Sequence, residues 1–137
     1  MLRPETKSRA RALQLLYAWE LQGGPDLSAI AQGLSRLTGP EPRVLDRAEE
    51  LASDVVAEVG ALDAEAARAS ENWRLGRMAV VERNILRLGI HELRRGSVPP
   101  KVAIDEAVRL AHWFGGARAP GFVNGVLDGI ARATGRL

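Results

Sequence analysis

The stretch VERNILRLGIHEL, residues 81–93, decides the fold class of this chain of 137 residues. Its apolar residues recur every three or four positions, which places them on one face of a helix rather than on alternate sides of a strand. The full apolar arc consists of Met78, Val81, Ile85, Leu86, Gly89, Ile90 and Leu93. We therefore predict a helix over residues 77–95 with a wide buried face.

The same spacing runs through the rest of the chain, and no run of alternating β-branched residues predicts a strand. Glycines and prolines mark the helix boundaries. The predicted helices cover residues 4–22, 26–38, 42–62, 64–72, 77–95, 101–114 and 119–133. Asp63 is the expected N-cap of the fourth helix. We expect an all-α helical bundle, either as one domain over residues 1–137 or as two tightly joined halves.

Composition narrows the classes of function. The chain has no cysteine, which excludes disulfides and Cys-based zinc sites, and His91 and His112 are too far apart in sequence for a compact metal motif. No apolar run approaches the roughly 20 residues of a membrane span, and no secretory signal is visible at the N-terminus. We expect a cytoplasmic protein with no cofactor, no metal and no membrane partner.

No arrangement of residues indicates catalysis. Asp105 and Glu106 are paired carboxylates, but neighbours on a helix point about 100° apart. No Gly-rich loop follows a strand, and no nucleophile has an oriented base. We interpret the chain as a binding protein and not as an enzyme.

The formal net charge is only +2, but the charge is unevenly distributed. Residues 1–11 carry a net +3 and residues 74–101 a net +5, whereas residues 41–71 carry a net −6, with nine acidic against three basic residues. This segregation indicates a basic surface for a polyanion and an acidic surface for another partner, unless folding mixes the charges again.

A basic stripe on the first helix is the candidate polyanion surface. At 100° per residue, four side chains fall within about 80° of one another: Arg3, Lys7, Arg11 and Gln14. Arg9 does not join them. Such a stripe could follow RNA phosphates, with Tyr17 near its edge as a ring for an unpaired base. The alternatives are a solvated helix face and a half-buried core tyrosine.

Two other helices carry residues whose surroundings the pattern leaves open. Glu82 and Glu92 project into the apolar arc of the 77–95 helix, where an unpaired carboxylate is costly to bury. We expect an arginine beside Glu92, and for Glu82 either an arginine or contact with another protein. On the 101–114 helix, Phe114 belongs to the predicted buried face. Trp113 falls on the solvent-exposed face, where it either contacts a binding partner or packs flat over the helix end.

Three segments resemble a known family in their order and spacing: VERNILRLGIHEL (81–93), VPPKVAIDEAVRLAHWFG (98–115) and FVNGVLDGI (122–130). They resemble the NusB family of bacterial transcription antitermination factors, as does the Arg-rich opening SRARALQLLYAWE (8–20). The resemblance implies a NusB-like fold of seven helices in two small bundles packed across one another. It also implies binding to boxA of nascent ribosomal RNA together with the ribosomal protein NusE. In that complex the factor promotes read-through by RNA polymerase and rRNA maturation.

The resemblance further implies site residues. Those of the RNA surface are Arg3, Lys7, Arg9, Arg11, Tyr17, Lys101 and Phe122. Glu82 is implied as a contact with NusE. An aromatic ring at a helix N-terminus, such as Phe122, can stack on a base while free N–H groups meet a phosphate.

The chain departs from the family pattern at several positions. Pro100 replaces a common tyrosine, Gly121 and Gly129 replace common lysines, and Arg118 stands where the family is often acidic. Arg118 could supply the RNA contact that is lost at Gly121.

The glycines at 121, 125 and 129 lie one turn apart in the last predicted helix, where each costs about 1 kcal/mol relative to alanine. Because Gly125 fits the family pattern, we expect it to permit the close approach of another helix. Gly129 has no evident role.

Two alternatives to the antitermination function stay open. One is the N-terminal RNA-binding domain of an rRNA methyltransferase. The other is a helical homo-oligomerisation module, and a homodimer is also compatible with the first interpretation.

Overall fold

The computed structural model describes residues 2–24, 26–38, 41–70 and 78–137, without the side chains of residues 37 and 38. This part of the chain contains seven helices and no strand. The helices are α1 (Pro4–Leu21), α2 (Leu27–Thr38), α3 (Pro42–Ala57), α4 (Val59–Ala69), α5 (Val80–Arg95), α6 (Pro100–Phe114) and α7 (Ala119–Ala133). The predicted all-α fold class is confirmed. The helices form two compact units, one ending at Ala57 and the other beginning at Glu58.

The first unit is built on the packing of α1 against α3, with α2 in contact with both. Ala12, Leu15 and Leu16 on α1 are fully buried, as are Ala48 and Val55 on α3. Two glycines in the left-handed backbone region end α1. The N–H of the second, at residue 24, donates to the carbonyl of residue 19 at 2.8 Å. This turn leads the chain into α2.

The second unit surrounds α5, which packs against α4, α6 and α7. Every residue of α5 from 84 to 93 is buried, which agrees with the wide apolar arc predicted for it. Gly96 ends the helix in the left-handed conformation, with its N–H bonded to the carbonyl of Glu92 at 3.0 Å. The prolines that follow begin α6.

The predicted helix over 42–62 is two helices in the structure, so this prediction was wrong. The chain leaves helical geometry at Glu58, with φ −110° and ψ 10°, and the unit boundary falls there. Asp63 is consequently not an N-cap, because it lies inside α4. The apolar spacing continues from Val55 to Leu62 across the break, and the only glycine or proline in that interval, Gly60, lies two residues past the break inside α4.

Two further boundaries differ from the prediction. Helix α4 ends at Ala69, because Ser70 is extended, so the predicted continuation toward 72 was wrong. Helix α5 begins at Val80, and Met78 and Ala79 lie before it rather than within it. The predicted helix end at 72 and helix start at 77 lie outside the described residues.

The predicted packing role of Gly125 was also wrong. A Cβ at Gly121, Gly125 or Gly129 would meet nothing within 4 Å, and all three positions are exposed. The close approach occurs instead at Gly89 on α5. A Cβ there would lie 2.6 Å from Cδ1 of Leu127 on α7. The glycine that allows α7 to pack closely therefore lies in α5 and not in α7 itself.

Candidate nucleic-acid interface

The outward face of α1 carries three of the predicted RNA contacts. Arg3 is the N-cap residue, and its carbonyl accepts the N–H of Lys7 at 3.0 Å, so the helix is continuous from the first cation to the second. Arg11 follows one turn later. Arg3 is exposed, and Lys7 and Arg11 are partly exposed. The structure thus keeps these three cations on one accessible face, as the spacing predicted.

An anion from the same unit lies against this face. Nζ of Lys7 donates to Oε2 of Glu41 at 3.3 Å, and both side chains are exposed. An ion pair in such surroundings contributes about 0–1 kcal/mol. A phosphate can therefore replace Glu41 at little cost. The sequence did not show this contact, because the two residues lie on different helical segments.

The face continues beyond the cations. Nη1 of Arg11 donates to Oε1 of Gln14 at 2.8 Å, and Tyr17 follows with 40 % of its surface exposed. Gln14 also borders a shallow groove of about 400 Å³ between α1 and α2. Tyr17 is therefore accessible on one side and more than half covered, which fits a stacking ring and the alternative of a half-buried tyrosine alike.

Arg9 occupies a different position from the other predicted contacts. It is six residues, about 240° of helix rotation, from Arg3. It is only 8 % exposed, on the face that also buries Ala12, Leu13 and Leu16, and it is held by an interaction within the protein. This placement does not fit a direct phosphate contact. We correct the expectation by leaving Arg9 out of the RNA surface.

The second unit brings two of its predicted contacts together. Arg118 is the N-cap of α7, and its carbonyl accepts the N–H of Phe122 at 3.2 Å, so both residues belong to the first turn. Arg118 is exposed and Phe122 is partly exposed. The partial exposure of Phe122 is compatible with the stacking role that the resemblance implies. A cation and a ring on the first turn of a helix can meet a phosphate and a base.

Lys101 lies apart from this pair. It is the second residue of α6 and is exposed. The rest of α6 separates it from the turn before Arg118, a helix length of about 20 Å at 1.5 Å per residue. Lys101 is therefore not part of the Arg118–Phe122 pair.

The predicted protein contact, Glu82, lies in the first turn of α5 and is partly exposed. Its Oε1 accepts the N–H of Gly116 at 3.4 Å, a long hydrogen bond to the turn between α6 and α7. Its carboxylate thus keeps hydrogen-bonding capacity for another partner. Glu92 is buried and makes an interaction within the protein. That its partner is an arginine stays a prediction.

Phe114 was predicted to be buried and is instead 41 % exposed. It is the last residue of α6, so no further turn of that helix continues past it. Trp113 is 45 % exposed, as predicted for the solvent-exposed face.

The described residues contain no cluster of three or more potential metal ligands. None of the helices described has both the length and the apolar character of a membrane span.

The fold and these surfaces define the class: a small all-helical protein that presents cations and aromatic rings to a nucleic acid. Residues 6–132 match the sequence profile of the NusB family. The chain belongs to the NusB family.

Similar proteins agree with this assignment. The transcription antitermination protein NusB of Sorangium cellulosum is 44 % identical over 130 residues, which cover 94 % of this chain and 92 % of that protein. The solved structure of T. maritima NusB superposes with a TM-score of 0.83 at 31 % identity, covering 96 % of this chain and 93 % of that one. The NusB fold is therefore confirmed.

A third similar protein was solved with ligands. It belongs to a crystal structure of the antitermination factors NusB and NusE in complex with double-stranded RNA. The TM-score is 0.83 at 27 % identity, with coverage of 97 % of this chain and 99 % of that one.

Proposed function

We propose that this chain is a transcription antitermination factor that binds boxA of nascent ribosomal RNA together with NusE. In this role it promotes read-through by RNA polymerase and rRNA maturation. Family membership supports the role, and so does the similarity to a NusB solved with NusE and RNA. Because the ligand is a nascent transcript, we expect the protein to act in the cytoplasm.

The observation that carries RNA binding is the row of Arg3, Lys7 and Arg11 on the accessible face of α1. Cations spaced by one helical turn, about 5.4 Å, can each meet a different phosphate. Their binding releases counterions from the RNA, which is the main source of sequence-independent affinity. Tyr17, on the same helix, supplies a ring for stacking.

The second unit contributes its own contacts to the proposed RNA surface. Arg118 and Phe122 offer a charge and a ring on the first turn of α7, and Lys101 offers a charge at the start of α6. The side chain of Arg118 replaces the basic contact that Gly121 cannot make. Glu82 is the proposed contact with NusE, since its single described hydrogen bond is long and leaves the carboxylate partly exposed.

A titration of the chain with single-stranded boxA RNA, with and without NusE, tests this function. If about four phosphates are neutralised, the affinity should fall with salt with a log–log slope near −3, at roughly −0.7 per phosphate. NusE should increase the affinity for RNA. An RNA of equal length and scrambled sequence is the control for specificity.

A variant in which Arg3, Lys7 and Arg11 are all replaced by glutamine should bind weakly, with a shallower slope and an unchanged melting temperature. A salt-independent affinity in the wild type would exclude the electrostatic surface. Equal affinity for boxA and scrambled RNA, with NusE present, would exclude the proposed specificity.

A further inference from the structure

The end of α6 carries an exposed cluster that the proposed RNA surface does not use. The rings of Trp113 and Phe114 are perpendicular, with centroids 6.5 Å apart. Cζ of Arg109 lies 5.9 Å from the centroid of the Trp113 ring, in cation–π geometry. We call these three residues the aromatic corner. Because Trp113 and Phe114 are both more than 40 % exposed, the corner leaves two large apolar side chains in water side by side.

The backbone fixes the aromatic corner in position. A Cβ on Gly115 would lie 2.6 Å from Cβ of Ala119 and 2.9 Å from the carbonyl oxygen of Ala111. Only a glycine allows α7 to begin this close to the end of α6. The N–H of Gly115 also donates to the carbonyl of Ala111 at 2.9 Å. The end of α6 and the start of α7 are therefore closely packed next to the two rings.

The aromatic corner borders the carboxylate proposed to meet NusE. The turn that follows Phe114 includes Gly116, whose N–H donates to Oε1 of Glu82 at 3.4 Å. The N-terminal turn of α5 and the C-terminal end of α6 are thus joined through this contact. A partner that reaches Glu82 arrives beside the aromatic corner.

Charge and residue type indicate whether the aromatic corner binds a protein or an RNA. Asp105 and Glu106 precede Arg109 by one helical turn, and Glu82 contacts Gly116 in the turn that follows Phe114. The carboxylate of Glu82 disfavours a phosphate on the side of this turn that it contacts, whereas Arg118, which follows the turn, belongs to the proposed RNA surface. The composition of the aromatic corner suits a protein interface, where tryptophan and arginine dominate the residues that carry most of the binding energy.

We propose that Trp113, supported by Arg109 and Phe114, is the central anchor for NusE, with Glu82 at the edge of the same interface. This inference rests on the proposed function. The partner surface has an apolar pocket that accepts the Trp113 indole and a basic side chain that faces Glu82. The cation–π contact with Arg109 orients the indole for insertion.

Calorimetric titration of the folded chain with purified NusE tests the inference. Trp113→Ala should weaken NusE binding at least about tenfold, as expected for an interface anchor. Trp113→Phe should recover part of the loss. Val102→Ala is the matched control, because Val102 is another exposed apolar residue of α6. It lies eleven positions earlier, about 16 Å along the helix, and its loss should change NusE affinity less than twofold.

Titration of the same variants with boxA RNA in the absence of NusE separates the two ligands. Trp113→Ala should leave this RNA affinity within twofold of the wild type. If the variant loses RNA affinity and keeps NusE affinity, the corner is an RNA contact and the inference is overturned. The inference is also overturned if Trp113→Ala binds NusE as tightly as the wild type while Glu82→Gln binds NusE more weakly. That result would leave the proposed function intact. If the wild type itself does not bind NusE, the proposed function fails and the inference fails with it.

Discussion

Arg87 on α5 forms a two-pronged ion pair with Asp63 on α4. Its Nε donates to Oδ1 and its Nη2 to Oδ2, each at 2.8 Å. Its Nη1 donates to the side-chain oxygen of Asn84 at 3.0 Å. Only 7 % of the Arg87 side chain is exposed. This arginine therefore holds two helices of the second unit together and does not contribute to a polyanion surface.

Removing the acidic partner should destabilise the second unit. Asp63→Ala leaves the Arg87 guanidinium buried without its carboxylate, a change that costs about 3–5 kcal/mol for fully buried pairs. We expect about 3 kcal/mol, since Asp63 keeps some exposure, measured by urea denaturation. Asp128→Ala is the control, because its pair with Arg132 at 2.8 Å is on the surface. Equal stability of Asp63→Ala and the wild type would show that the pair does not hold α4.

Two glycines of the second unit should respond in opposite ways to alanine. Gly89→Ala forces a methyl group against Leu127 and should cost about 1–3 kcal/mol, typical of overpacking. Gly125→Ala adds a methyl group to open space and should stabilise α7 by up to about 1 kcal/mol through helix propensity. Thermal unfolding of both variants gives the comparison. A loss of stability in Gly125→Ala would contradict the open environment of that position.

Glu41 should compete with RNA for Lys7. Glu41→Gln removes the carboxylate that accepts from Nζ of Lys7, so RNA affinity at low salt should rise about two- to fivefold, the equivalent of a surface ion pair. Glu49→Gln is the control: it removes an equal charge from α3, the helix that begins just after Glu41, but its carboxylate accepts from the Ser28 hydroxyl. A rise of the same size in both variants would indicate a general charge effect and no specific competition.

The ring of Phe122 should contribute to RNA affinity more than to stability. Phe122→Ala should lower affinity for boxA RNA by roughly ten- to a hundredfold, the effect of losing one stacked base. Because Phe122 is only partly buried, its stability loss should fall below the about 3–5 kcal/mol of a buried phenylalanine. Fluorescence anisotropy and thermal melts measure the two effects. Unchanged RNA affinity in a folded variant would remove Phe122 from the RNA surface.

Glu82 should matter for the partner and little for the fold. Glu82→Gln keeps the side-chain shape and a carbonyl oxygen for the Gly116 N–H, so the melting temperature should stay close to that of the wild type. NusE binding should weaken because a charge-assisted contact becomes neutral. A lower melting temperature with normal NusE binding would instead assign Glu82 a structural role.

The helical architecture was largely predictable from the sequence because periodicity reports which face of each segment is apolar. Five of the seven predicted helices begin and end within a few residues of α1, α2, α5, α6 and α7. The break between α3 and α4 was not predictable, since the apolar phase continues across Glu58. Periodicity shows which face of a segment is apolar. It does not show that this face packs against different helices before and after Glu58.

The candidate site was predictable where residues follow one another on a single helix. The spacing of Arg3, Lys7 and Arg11 correctly placed them on one outward face. The burial of Arg9, the contact between Lys7 and Glu41, and the exposure of Phe114 depend on which neighbouring segments pack nearby. The role of Gly89 likewise depends on Leu127, which lies two helices later in the chain. Such contacts between distant segments leave no periodic signal.

The open row of glycines on α7 has a consequence for how sequence variation at residues 121, 125 and 129 is interpreted. Since a side chain added there meets no other part of this protein within 4 Å of its Cβ, the fold sets almost no limit on its size or charge. A library of all amino acids except proline, which would break the helix, at Gly121 and Gly125 would vary in folding mainly through helix propensity. Selection for ligand binding would then enrich side chains according to what touches α7 from outside, and the enriched chemistry would identify that ligand.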